Sequence, residues 1–289
     1  MKKITFIINP IAGHKKYKIA EKGIHKYLDH KKFESNIEYS KKKGDVQKIT
    51  KKAIDRGANI IIAVGGDGTV NEVSSVLIKS NIKMGVIPIG SGNGLALCLG
   101  IPKNIKKAIE RINLNHAKKI DCISINNLHS INIIGFGFDA CVAKEFSKET
   151  SRGLIKYVIL TFKLLISYKP KEFTVKFNNK IEKIKAFSLN ICNGKQFGNN
   201  FIISPKAKID DGKLRICIIR AYKWYNFIYI LSLFFFKKIH FSKFYKSFKT
   251  DNLIIEGESK NLIHIDGESH TINKTANINI NSKSINFII

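Results

Sequence analysis

The sequence predicts an α/β protein with an N-terminal doubly wound parallel sheet and a C-terminal antiparallel β-rich domain. Three observations point there. Up to about residue 122, apolar runs of strand length alternate with amphipathic helical stretches, the signature of β-α-β units. Beyond it the period falls to two, and short strands alternate with polar turns. The 289 residues, 44% of them hydrophobic, are enough for two modest cores. The change of period sets the division at 1–122 and 123–289.

In chain order, "ITFIIN" reads as a buried strand, "YKIAEKGIHKYLDH" as an amphipathic helix and "FESNIEYS" as a strand. "GDVQKITKKAIDRGA" follows as a helix closed by Gly57, then the strand "NIIIAVG" and a helix over about 70–80. The first half ends with the strand "KMGVIPIG", helices over about 93–99 and at "NIKKAIERI", and the strand "KKIDCIS". In the second half, Asn126-Asn127 and Asn178-Asn179 lie between alternating runs and mark hairpins. Helical stretches are expected near 139–168 and 223–237, with further strands at "KLRICIIR", "NLIIEG", "LIHIDGE", "ANININ" and "SINFII".

Lys+Arg exceed Asp+Glu by 50 to 22, a formal charge of +28. Such an excess attracts phosphates and anionic headgroups, although lysine filling solvated positions is the plainer source. No nucleic-acid motif accompanies the charge, so nucleic acid is not an expected partner. The five cysteines are scattered without a C-x-x-C pair, which argues against a disulfide framework or a zinc site. The five-residue apolar run at the start reads as a strand rather than a signal peptide, and a cytoplasmic protein is expected. "LIKYVILTFKLLISY" and "WYNFIYILSLFFF" are the longest apolar runs and fall short of the ~20 residues of a membrane span. The second, ending on Lys237 and Lys238, suits a bilayer interface or a helix packed on a sheet.

In open α/β sheets, ligands sit beyond the carboxyl ends of the strands. Three glycine-bearing loops fall there, "NPIAG" (9–13), "GGDGT" (65–69) and "GSGNG" (90–94). Glycines let backbone N–H groups approach an anion, and a following helix adds its positive end, so phosphate is the natural guest. Thr69 to Glu72 also fit a capping box, with Thr69 as the N-cap. Asp67 would repel a phosphate unless a metal stands between them or the acid handles a proton, both of which phosphoryl transfer needs. An aspartate shaping its own turn is the plainer alternative.

These loops, together with "GGDGTVNEV", "PIGSGNGLA", "NGKQFGNNFIISPKAKIDDGKLRI" and "IDGE", resemble the diacylglycerol kinase catalytic domain family, which includes the sphingosine and ceramide kinases. The motifs occur in family order from Asn9 to Glu268. "GGDGT" alone is less specific, since NAD kinases and phosphofructokinases carry similar strings. The resemblance implies an α/β nucleotide domain and a β-rich lipid-binding domain, a NAD kinase/diacylglycerol kinase-like fold. It implies that Asn9, Gly65, Gly66, Asp67, Gly68 and Thr69 contact nucleotide phosphates, with Ser40 in place of a frequent threonine and Ser91 joining them. Asp266 and Glu268 read as a strand-end pair on one side, able to hold Mg²⁺ or take a proton. The bacterial pattern makes Asp266 the base, whereas the sphingosine-kinase pattern puts that work nearer Asp67, and both stay open. A structural magnesium site maps onto Asp211 with the carbonyls of Leu214 and Ile216, and a lipid-headgroup contact onto Asp139. Relatives often carry a basic residue where this chain has Leu97-Cys98.

The implied activity is Mg²⁺-assisted transfer of the ATP γ-phosphoryl group to the hydroxyl of a membrane lipid, diacylglycerol first, giving phosphatidate. A sphingoid base, or a soluble alcohol such as NAD, is the alternative acceptor. A non-catalytic basic protein that binds nucleotide or membrane is the rival from another class. Transient contact with an anionic membrane is expected, with "FKKIHFSKFYKSFK" (236–249) as a rim. Oligomeric state is left open, a homodimer included.

Overall fold

A computed structural model describes residues 1–13, 16–149, 154–257 and 259–289. The chain packs as two compact units, Met1–Cys122 with Lys283–Ile289, and Ile123–Ser282.

The first unit runs β1 (Lys2–Ile8), α1 (Lys16–Tyr27), β2 (Phe33–Tyr39), α2 (Asp45–Asp55), β3 (Ile60–Gly65), α3 (Asp67–Leu77), β4 (Lys83–Pro88), α4 (Gly94–Cys98), α5 (Ile105–Leu114) and the start of β5 (Ala117–Ile125). β2, β1, β3 and β4 lie side by side and parallel. Alternation divides their side chains between two faces. Ile4, Phe6, Ile8, Ile60, Ile62 and Val64 meet Ala20, Ile24, Ile109 and Ile112 of α1 and α5. α2 and α3 pack on each other, α2 against β1 and α3 against β3, with Val46, Ala53, Val73 and Leu77 buried. Burial on both faces explains why β3 reads as an unbroken apolar run. α5 is bounded by Asn104, whose side chain accepts from the Lys107 N–H, and by Asn115 in the left-handed conformation.

The last strand, β15 (Thr275–Ile288), returns to the first unit, where Asn286 and Phe287 pair with Lys83 and Met84 of β4 in parallel. Asp121, fully buried, accepts the Lys283 N–H at 2.7 Å and pins that return.

The second unit continues with β6 (Leu128–Ser130), β7 (Ile133–Gly137), α6 (Phe138–Ser147), α7 (Leu154–Ser167), β8 (Lys171–Phe177), β9 (Lys180–Cys192) and β10 (Leu214–Arg220). Then come α8 (Phe227–Phe235), β11 (Tyr245–Thr250), β12 (Asn252–Glu256), β13 (Asn261–Ile265) and β14 (Glu268–Ile272). The strands are antiparallel, in the order β14-β13-β7-β9-β8-β12-β15, with β10 paired to Ala186–Cys192 of β9 on the edge opposite β7, β11 beyond β10, and the β5–β6 hairpin beside β15. The asparagines of both expected hairpins supply positive φ, 49° at Asn126, 46° at Asn178 and 60° at Asn179. The helical stretch expected at 139–168 forms two helices, and its residues 150–153 lie outside the described residues. Among the described residues, no helix is long and apolar enough to cross a membrane.

Candidate functional site

Every residue expected to contact phosphate lies at the carboxyl edge of the first unit's parallel sheet. Asn9 follows β1, Ser40 follows β2, Gly65 to Thr69 close β3 and open α3, and Ser91 follows β4. The three glycine loops also converge. A Cβ on Gly90 would lie 2.5 Å from Gly66 Cα, and one on Gly13 would lie 2.0 Å from the Ile89 carbonyl oxygen. Asn9 Nδ2 donates to Thr69 Oγ1 at 3.1 Å, binding the first loop to the second.

α3 starts at Asp67 with Gly66 as its N-cap, three residues earlier than the capping box places it. Thr69 is engaged by Asn9 instead, and Asp67 to Thr69 already lie in the first helical turn. The amides of that turn face the loops without a side-chain cap, an arrangement suited to an anion. Asp67 stands at the junction. Its Oδ1 accepts from the Leu95 N–H at 3.3 Å, and a Cβ on Gly92 would come within 3.1 Å of its Oδ2. Asn93, buried in the left-handed conformation, donates to the Gly90 carbonyl at 2.7 Å, while its Oδ1 has no hydrogen-bond partner among the described residues. Beside Ser40, a cavity of about 770 Å³ is lined by Tyr17, Lys18, Lys22, Tyr39 and Lys41, among others. Its size and cationic rim suit a nucleotide.

Because Gly90 meets backbone rather than a flexible side chain, Gly90→Ala is expected to force the second and third loops apart. Nucleotide affinity should fall at least tenfold by calorimetry while most of the fold survives; unchanged affinity would remove the loop junction from the account.

In the second unit, Asp266 and Gly267 form the two-residue turn between β13 and β14, with φ of 49° and 89°. Positive φ at both positions is the type I′ geometry that favours Asp-Gly. Strand alternation therefore does not apply to Asp266 and Glu268, because the turn intervenes between them. The Asp266 carboxylate is 8% exposed and folds back on the chain between β6 and β7. Oδ1 accepts from Ser130 Oγ at 2.6 Å, Asn132 N at 3.1 Å and Ile133 N at 2.9 Å, and Oδ2 from Ile131 N at 3.2 Å. Next to this turn, His264 is buried, and burial together with His270 holds its pKa down at about 4. Unfolded histidine titrates near 6.5, so this contribution to stability is full above pH 6.5 and is lost as pH falls towards 4. His264→Asn is expected to reduce, by roughly 2–3 kcal/mol, the stability lost between pH 7 and pH 4.5 in urea unfolding. An identical pH dependence in the variant would contradict the buried neutral imidazole.

Asp139 lies in the first turn of α6 and receives Ser188 Oγ and Asn190 Nδ2, the latter at 3.0 Å. Burial raises its pKa above the ordinary carboxylate value, partly offset by those two donors. Phe138, Tyr168, Phe187 and Tyr222 form an aromatic cluster in the same unit, with ring centroids 4.5–5.3 Å apart along the contacts from Phe138 to Tyr222. The Tyr168 and Tyr222 hydroxyls are buried there without a hydrogen-bond partner among the described residues. Polar groups within an apolar surround suit a headgroup that carries hydroxyls.

A family model for the diacylglycerol kinase catalytic domain matches residues 3–125, and one for the YegS C-terminal NAD kinase beta sandwich-like domain matches residues 132–285. The chain belongs to the diacylglycerol kinase and YegS family. A "Diacylglycerol kinase" of Staphylococcus haemolyticus is 29% identical over 226 residues, covering 76% of this chain and 68% of the relative. One from Bacillus subtilis is 28% identical over 240 residues, 81% of this chain and 78% of the relative. The fold also matches a solved chain from Bacillus anthracis with a TM-score of 0.81 at 24% identity, over 99% of this chain and 97% of that one.

The magnesium position that family resemblance implies in the second unit does not suit a cation as it stands. Asp211 Oδ2 is paired with Lys249 Nζ at 2.5 Å and Oδ1 accepts from the Lys213 N–H at 3.2 Å. Leu214 and Ile216 pair with Thr250 and Phe248 of β11. Magnesium needs six oxygens, whereas this carboxylate already holds an ammonium and the neighbouring Lys213 pairs with Asp251. No cluster of three or more acids, histidines and cysteines suited to a metal occurs among the described residues.

Sequence reading did not single out the buried polar partners Ser130, Asn132, Ser188 and Asn190. One pair had a visible signal. Ser188 and Asn190 stand two apart within the apolar strand "AFSLNIC", which puts both on one face. Ser130 and Asn132 lie beside a hairpin and are explained only by the carboxylate that returns from residue 266.

Proposed function

We propose that the protein is an ATP-dependent lipid kinase that phosphorylates diacylglycerol to phosphatidate. The observation that carries this reading is the convergence of Asn9, Ser40, the "GGDGT" turn and Ser91 at one edge of the first unit's sheet, with Asp67 among the loops. Family membership supports a lipid acceptor, since relatives that match over most of this chain are named for diacylglycerol.

The substrate is ATP as its magnesium complex. The amides that open α3 would hold its phosphates, and Asp67 would meet the accompanying cation, which would remove the repulsion an acid otherwise imposes. The lipid hydroxyl oxygen attacks the γ-phosphorus, the bond from γ-phosphorus to the bridging oxygen breaks, and ADP leaves. The hydroxyl proton passes to a carboxylate, for which the candidates are Asp67 of the first unit and Asp266 of the second, the latter held in a fixed orientation by Ser130 and three backbone amides. The transition state is loose, so positioning and charge neutralisation supply most of the rate. Asp139, with Ser188 and Asn190, hydrogen-bonds the glycerol headgroup.

The test is transfer from ATP, with Mg²⁺, to a panel of short-chain diacylglycerol, a sphingoid base and NAD. Labelled phosphatidate as the main product supports the reading. Preference for the sphingoid base or NAD moves the acceptor, and no transfer to any of them removes the kinase.

A further inference from the structure

Two helices of the second unit expose apolar side chains that a soluble surface has no use for. On α8, Ile230 and Phe234 are buried, but Ile228 is 76% exposed, Phe235 80% and, just beyond the helix, Phe236 66% and Phe241 71%. On α7, Leu164 and Leu165 pack against the core beneath, while Ile159 and Phe162 are about half exposed and Ile166 is 90% exposed. The rings of Phe162 and Phe227 meet edge to face at 5.5 Å, which makes one surface of the two helices.

Charge names the partner. From Lys213 to Thr250 the sequence holds nine basic residues and no acid, and from Thr150 to Lys171 it again holds none. Lys237 and Lys238 follow the exposed phenylalanines directly, are themselves exposed, and take part in no ion pair among the described residues. A second copy of this chain would bring like charge against like charge. An acidic protein would satisfy the lysines but offers nothing for a row of protruding phenylalanines to enter. An anionic bilayer satisfies both, with apolar side chains in the acyl boundary and lysines at headgroup level.

We infer that the α7–α8 face, led by Ile228, Phe235, Phe236 and Phe241 and flanked by Lys237 and Lys238, is the surface by which this protein docks on anionic phospholipid membranes. The inference rests on the lipid-kinase reading for its purpose, but its observations stand apart from the phosphate loops. It also extends the expected rim at 236–249 to a second helix, α7, and places the deepest apolar contact on side chains that point away from the core.

The experiment is co-sedimentation with phosphatidylcholine vesicles, with and without phosphatidylglycerol, for three proteins. These are the wild type, the variant I228S/F235S/F236S/F241S, and the variant K237A/K238A. Wild type is expected to sediment only with the anionic vesicles. The four-residue variant should bind at least about tenfold more weakly, and the lysine variant about thirtyfold more weakly at low salt, with that deficit shrinking as salt rises. All substituted positions are exposed, so melting temperatures should stay near that of the wild type. Equal wild-type binding to neutral vesicles, or wild-type-like binding by the four-residue variant, would overturn the inference. So would a wild-type dimer in sedimentation velocity that the four-residue variant abolishes, because the face would then belong to a second copy. Transfer to short-chain diacylglycerol in solution should be the same in all three proteins. Its absence in the wild type would defeat the diacylglycerol reading while leaving the vesicle result to be judged separately.

Discussion

Asp67→Asn is expected to lower kcat/KM for phosphoryl transfer about a thousandfold while the protein stays folded. The carboxylate sits in the first turn of α3, where Oδ1 accepts a long hydrogen bond from Leu95, among loops whose glycines admit no side chains of their own. Asparagine keeps the shape and that acceptor, so the stability change should stay within about 1 kcal/mol. What it loses is the negative charge that, on the proposed reading, would face the metal of the nucleotide complex. The same change removes repulsion from a bare triphosphate, so ATP without Mg²⁺ should bind more tightly to the variant than to the wild type. Calorimetry with and without Mg²⁺, beside steady-state kinetics, reads both effects. A variant with full activity would reduce Asp67 to a turn-forming residue.

Asp266→Ala should destabilise the second unit by about 4 kcal/mol in denaturant unfolding. It removes an acceptor shared by Ser130 Oγ and three consecutive backbone amides, so buried donors lose their carboxylate partner. It also puts a residue that disfavours positive φ at 49° in a type I′ turn. Asp266→Asn keeps the turn and one acceptor oxygen, so its stability loss should be smaller, about 2 kcal/mol, with transfer still reduced at least a hundredfold. That second comparison separates the two roles. Activity that falls only in step with the unfolded fraction would leave Asp266 as a structural anchor and shift proton acceptance elsewhere.

Much of this was legible in the chain itself, for identifiable reasons. Strands buried on both faces of a parallel sheet must read as apolar runs, and "IIIAVG" does. Asn-Asn between alternating runs has few uses other than a tight hairpin, and both pairs make one. Glycine loops after successive strands land at one edge because a parallel sheet puts all its carboxyl ends there. The start of α3 was misjudged because the Thr69 hydroxyl is committed to Asn9, sixty residues away, a contact that local pattern cannot report. The relation of Asp266 to Glu268 was read with strand geometry, although Asp-Gly was itself the turn signal. Asp121 and the returning residues Lys283–Ile289 carry no local sign of their pairing, because it depends on where the last strand ends up. The lysine that occupies Asp211 is likewise thirty-eight positions distant, and a composition rich in lysine hides which one matters.

The most direct test of the account is the fate of label from γ-labelled ATP in detergent-dispersed diacylglycerol with Mg²⁺, for the wild type and Asp67→Asn. The account expects labelled phosphatidate from the wild type and about a thousandfold less from the variant. Label that stays in ATP, or reaches only NAD, or enters lipid equally well with both proteins, would contradict it.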